Sequence, residues 1–75
     1  MELKSFIENV KEQFEEEYDN FGADTRFREL DEWSSLLALT LISMIDEEFD
    51  VVLKGDDVKN SETIEDVYNI VVSKI

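Results

Sequence analysis

The sequence has no cysteine and no histidine. Without thiols it forms no disulfides, and without thiolate or imidazole ligands the usual zinc sites are excluded. Any mechanism that needs imidazole as general base is excluded as well. The lack of cysteine fits any compartment, and nothing in the chain asks for an oxidising one. Basic residues are scarce: seven Lys and Arg stand against twenty Asp and Glu, a net charge of −13. Such a surface repels nucleic acid and anionic membrane, and it draws basic partner surfaces over a screening length of ~8 Å. Long apolar runs are also missing. The longest, Leu36–Leu39, falls far short of the ~20 residues of a membrane span. Met1 is followed by Glu2 and no apolar stretch, so no signal peptide is expected and a soluble cytoplasmic protein is the default.

A chain of 75 residues reads as one domain over its whole length. At this size folding hides only about 60% of the unfolded surface, so the core is small. It leaves no room for a core and a deep ligand pocket of roughly 300 Å³ or more together, and an enzyme is not expected. High charge can also signal disorder, but the 43% hydrophobic content is arranged periodically, which argues for a packed fold.

Leu3, Phe6, Ile7, Val10, Phe14 and Tyr18 form one helical stripe and predict a first helix from about Glu2 to Tyr18. Asp19-Asn20-Phe21-Gly22 breaks it, Gly22 being one of only two glycines. Residues 19 to 33 then form a long first loop with its own anchors in Phe21, Phe27, Leu30 and Trp33. A second helix is predicted from Ser34 or Ser35 to about Phe49. Leu36, Leu39, Ile42, Ile45 and Phe49 mark its inward stripe, widened by Leu37, Leu41 and Met44. Ser34 suits its N-cap. Asp46-Glu47-Glu48 crowds acids at its C-terminal end, where the helix dipole disfavours them. Val51, Val52 and Leu53 read as an extended tether, and Lys54-Gly55-Asp56-Asp57 as a turn before a short helix around Asp56 to Asn60. Thr63 and Asp66 form a capping box that opens the last helix, with Ile64, Val67, Tyr68, Val71 and Ile75 turned inward. The fold class is therefore all-α, with three main helices, one short one and a long first loop.

Trp33-Ser34-Ser35-Leu36, then Ile42, then Asp46-Glu47-Glu48-Phe49, then Thr63-Ile64-Glu65-Asp66 resembles the acyl carrier protein family. That family has Asp-Ser-Leu at the start of its second helix, a Glu-Glu-Phe-like run near that helix's end and a Thr-Val-like start to its last helix. From Ser35 through Phe49 to Ile64 the spacing matches without a gap. The resemblance implies a small carrier bundle with 4′-phosphopantetheine attached covalently to Ser35, whose thiol holds acyl groups as thioesters. Fatty-acid, polyketide or related biosynthesis would be its setting. A helix N-terminus suits the phosphate of such an arm. The resemblance also implies a phosphopantetheinyl transferase as a partner. Acyl-activating, ketosynthase or acyltransferase enzymes with basic docking surfaces would join it, and the carrier would be a monomer. A chamber lined by Leu39, Ile42, Ile45, Val67 and Val71 would shelter the acyl chain.

Two departures stand out. Ser34 replaces the family's Asp, keeping the capping group and losing the charge that helps the transferase and its metal ion engage. Ser34 is also the alternative attachment hydroxyl, although only Ser35 puts Leu next and Phe fourteen residues on. Leu37 and Thr40 take positions often acidic in fatty-acid carriers. A partner face of Leu36, Leu37, Thr40, Asp46 and Glu47 would then be apolar first and acidic later, implying partners other than those of housekeeping fatty acid synthesis.

Plainer readings stand beside these. Ser34 and Ser35 also serve as ordinary helix caps, and Trp33 serves either as a shield for the site or as an aromatic staple. The stripes are core before they are chamber. Asp46-Glu47-Glu48 suits a solvated face as well as a basic partner. Glu15-Glu16-Glu17-Asp19 is solubilising rather than a metal site, lacking EF-hand spacing. The rival function is an unmodified acidic helical module that binds a basic protein.

Overall fold

The computed structural model describes residues 2–75. Helix α1 spans Leu3–Lys11, α2 Ser35–Phe49, α3 Gly55–Lys59 and α4 Ile64–Ser73. The all-α expectation of three main helices, one short helix and a long first loop holds. A single 3₁₀ turn, Phe27–Glu29, lies within that loop.

Aromatic packing ties the first, second and last helices together. Phe6 of α1 is fully buried, with its ring centroid 5.5 Å from that of Phe49 and 5.5 Å from that of Tyr68. Val10, Leu41, Ile45, Ile64, Val67 and Val71 complete the fully buried centre, and Val51, Leu53 and Val58 close it from the α2–α3 side. Val51 and Leu53 are buried while Val52 between them is exposed, the alternation of an extended tether.

Four expectations are corrected. Helix α1 ends at Lys11, one and a half turns or more before Tyr18. The short helix begins one residue earlier than expected. The largest correction concerns α2: Leu37, Leu41, Met44 and Ile45 face the core, whereas Leu36 is 72% exposed and Leu39 62%. Almost the whole circumference of this helix is apolar, so its sequence period does not fix which face turns inward. Packing against α1 and α3 fixes it, through the row Leu37, Leu41 and Ile45 at four-residue spacing. Ile75, expected inward, is 77% exposed.

The last helix follows its sequence closely. Thr63 Oγ1 accepts the Asp66 N–H at 3.2 Å, and the Asp66 carboxylate accepts the Thr63 N–H at 3.0 Å. A hydrogen bond from the Glu62 N–H at 3.0 Å adds to the forces holding the Asp66 carboxyl below its ordinary value.

Truncating Phe6 to Ala removes the ring shared by three helices and is expected to cost ~3–5 kcal/mol. A domain of this length holds roughly 4–11 kcal/mol in total, so the variant loses much of its cooperative urea transition. Ile75→Ala stays within about 0.5 kcal/mol of wild type. An equal cost for both would contradict this placement of the core.

Candidate functional site

Ser34 and Ser35 meet at the start of α2, and the structure gives them different work. Ser34 is the N-cap in extended conformation, and its Oγ accepts the Leu37 N–H at 3.2 Å. Its carbonyl accepts the Ala38 N–H at 3.0 Å. Ser35 is the first helical residue and is exposed. Among the described residues no group hydrogen-bonds to its hydroxyl. The first turn holds no acidic side chain, so its remaining N–H groups and the positive end of the helix dipole are left open to a phosphate group. A phosphodiester on Ser35 fits this geometry without displacing the cap.

The loop before these serines is held by one carboxylate. Glu32 accepts the N–H of Glu15 at 2.6 Å and that of Glu16 at 3.1 Å. The Tyr18 hydroxyl donates to it at 3.3 Å and also lies 3.3 Å from the Glu16 carboxylate. In a longer α1 those two N–H groups would bond to carbonyls four residues back. Here Glu32 takes them. The hydrogen bond from Glu15, with smaller contributions from Glu16 and Tyr18, holds the Glu32 carboxyl below its ordinary range against an opposing effect of burial. The Tyr18 hydroxyl is pushed up to about 12 by burial first and then by the Glu16 and Glu32 charges.

Aromatic rings seal the same region. Phe14 packs against Phe21 at 5.4 Å, Tyr18 at 6.0 Å and Trp33 at 6.5 Å, and Trp33 meets Phe27 edge-on at 5.0 Å. Trp33 thus acts as the staple that fixes the chain entering Ser34. On its other side the loop is stitched to α4. Thr25 and Ala23 carbonyls accept the N–H groups of Ile64 at 3.2 Å and Glu65 at 2.9 Å, and Arg28 Nε donates to the Ser61 carbonyl at 2.8 Å.

Of the residues expected on a partner face, Leu36, Thr40, Asp46 and Glu47 are exposed and Leu37 is buried. Leu37 belongs to the core, because its side chain lies on the same row as Leu41 and Ile45. Leu39 takes its place on the outside, beside an open depression lined also by Gln13, Thr40, Ser43, Met44, Glu47 and Glu48. Leu39 therefore does not line an interior chamber, whereas Ile45, Val67 and Val71 are fully enclosed. Sequence reasoning missed Glu32 altogether, since two of its three partners are backbone groups that no residue type announces. Among the described residues no group of acids is arranged to hold a metal ion, and no helix is long and apolar enough to cross a membrane.

A family model for the phosphopantetheine attachment site matches residues 5–71. No curated protein and no solved structure matches the chain. With nearly its full length covered, the chain belongs to the phosphopantetheine-attachment family, whose members carry 4′-phosphopantetheine covalently.

Two predictions follow from the cap and the clamp. Ser34→Ala costs about 1 kcal/mol in chemical denaturation, whereas Ser34→Asp, which keeps a capping oxygen, costs little or stabilises. For Glu32, the folded carboxyl ionises at lower pH than its ordinary 4.5. The clamp therefore contributes fully above the unfolded pKa and loses its contribution as pH falls through the folded one. Glu32→Gln melts below wild type at about pH 7, and the gap narrows toward about pH 3. A gap independent of pH would rule out the ionised clamp.

Proposed function

We propose that Ser35 carries the 4′-phosphopantetheine arm, and that the chain is an acyl carrier for fatty-acid, polyketide or related biosynthesis. The observation that supports this most is the division of labour at α2: Ser34 commits its oxygen to the cap, and the Ser35 hydroxyl beside it is exposed and without a hydrogen-bond partner among the described residues. In forming the arm, Ser35 Oγ would bond to the phosphorus of a nucleotide-activated phosphopantetheine donor as the phosphoanhydride bond to the nucleotide breaks. The nucleotide phosphate leaves, and the serine proton goes to a base of the transferase. The first-turn N–H groups of α2 would then face the phosphodiester charge. The arm supplies a thiol that holds an acyl group as a thioester. The protein's own residues hold the attachment point and the docking face, and they make no bond in the acyl chemistry, so the chain is a carrier rather than an enzyme.

Its partners are a phosphopantetheinyl transferase and acyl-activating, ketosynthase or acyltransferase enzymes. Leu36, Leu39 and Thr40 offer them an apolar and neutral first half of α2, and Asp46 and Glu47 an acidic second half. That profile suits a docking surface with an apolar floor and a basic rim. A working monomer in the cytoplasm, with neither nucleic acid nor membrane as partner, agrees with the net charge of −13. The sheltered acyl chain would enter between Ile42, Ile45, Val67 and Val71, which requires the helices to part.

A second reading is favoured by Ser34, which lacks the charge that a transferase meets in the family. On that reading the chain keeps the fold, goes unmodified and binds a basic protein through the same face.

Intact-mass measurement after co-expression with a broad-specificity phosphopantetheinyl transferase separates the two. The expected result is a gain of one phosphopantetheine in wild type and Ser34→Ala, none in Ser35→Ala, and faster loading in Ser34→Asp. Absence of the gain with several transferases, Ser34→Asp included, would overturn the carrier reading and leave the binding module.

A further inference from the structure

The end of α1 presents a conflict between its sequence and its structure. Phe14 and Tyr18 continue the apolar stripe of Leu3, Phe6, Ile7 and Val10 at helical spacing, and Glu12, Gln13, Glu15, Glu16 and Glu17 are good helix formers. No glycine or proline intervenes before Gly22. Yet the helix ends at Lys11. Beyond it the chain makes two tight turns in the same sense, Gln13 N–H to the Val10 carbonyl at 3.0 Å and Phe14 N–H to the Lys11 carbonyl at 3.1 Å. The next two donors, Glu15 and Glu16 N–H, then leave the helical path for the Glu32 carboxylate. In a continued helix they would serve the Lys11 and Glu12 carbonyls instead. The same two N–H groups are thus claimed by two structures.

We infer that residues 12–18 form a two-position element, held as a loop by Glu32 and able to continue α1 as helix when that hold is released. Opposing forces set the balance. Glu32 and the Tyr18 hydroxyl favour the loop, and so does the acid density of the helical alternative. Continuation would place Glu15, Glu16 and Glu17 at a helix C-terminus and set Glu12 four residues from Glu16, both unfavourable while the charges are bare. Helix propensity and the apolar stripe favour continuation. A basic surface laid against these acids, or salt, removes the repulsion and weakens the clamp together, so both act in the same direction.

The position of this element gives it a consequence for the attachment region. Phe14 packs on Trp33, and Trp33 directly precedes Ser34 and Ser35. Continuing α1 carries Phe14 and Tyr18 onto that helix's own stripe and uncovers Trp33. A basic partner docked on the first loop would thereby alter the approach to α2. The inference concerns the loop alone and holds whether or not Ser35 carries an arm.

Trp33 is the only tryptophan, so its fluorescence reports the loop directly. In Glu32→Ala, and in Glu32→Ala with Glu16→Gln, the far-ultraviolet circular dichroism at neutral pH is expected to gain about two turns of helix. Trp33 emission moves to longer wavelength at the same time. Unchanged or reduced helicity in both folded variants would overturn the inference, since a released segment that merely disorders gives no gain. Should the variants fail to fold, the wild type supplies the test. Raising salt is expected to move the Cα chemical shifts of residues 12–18 toward helical values and to slow exchange of their amides. Shifts that stay put across the titration would overturn it equally. Both readouts are taken on unmodified protein, so their failure leaves the assignment of Ser35 untouched.

Discussion

A long connection without helix or sheet of its own must still find partners for its backbone, because unpaired N–H and C=O groups are costly once covered. In this protein the connection between α1 and α2 finds them at both ends. The Glu32 carboxylate serves Glu15 and Glu16, and the carbonyls of Ala23 and Thr25 receive the first N–H groups of α4. One contact ties the start of the loop to its end, and the other fastens its middle to the last helix. The aromatic group of Phe14, Phe21, Phe27 and Trp33 fills the space between. The start of α2 is delivered to its place by this packing, and the site depends on it.

At that start, the absence of charge is as informative as its abundance elsewhere. The protein carries a net charge of −13, yet the first turn of α2 has no acid. A helix N-terminus free of acids attracts an anion more strongly than one already neutralised. The acids return at Asp46, Glu47 and Glu48, exposed at the other end of the same helix. One helix thus presents an acid-free N-terminal turn, an apolar middle and an acidic end.

Much of this was legible in the sequence where local rules act alone. Ser34 as cap and the Thr63–Asp66 box were readable because side chain and backbone partner lie three residues apart, and no distant group intervenes. Ile64, Val67 and Val71 were readable because α4 is apolar on one side only. The extent of α1 was not, because the Glu15 and Glu16 N–H groups bond to Glu32, far along the chain, and not to carbonyls of the helix. The orientation of α2 was not, because its apolar arc is too wide for period to choose between Leu36 and Leu39 on one side and Leu37 and Leu41 on the other.

The sequence by itself determined the all-α class, the starts of α2 and α4, the acidic surface and the pair of hydroxyls at the head of α2. These follow from composition, short-range capping and periodicity. Only the tertiary structure decided which leucines meet solvent and where α1 stops. Each of those outcomes depends on a competition between near-equal local options, settled by groups distant in sequence that packing brings within bonding reach.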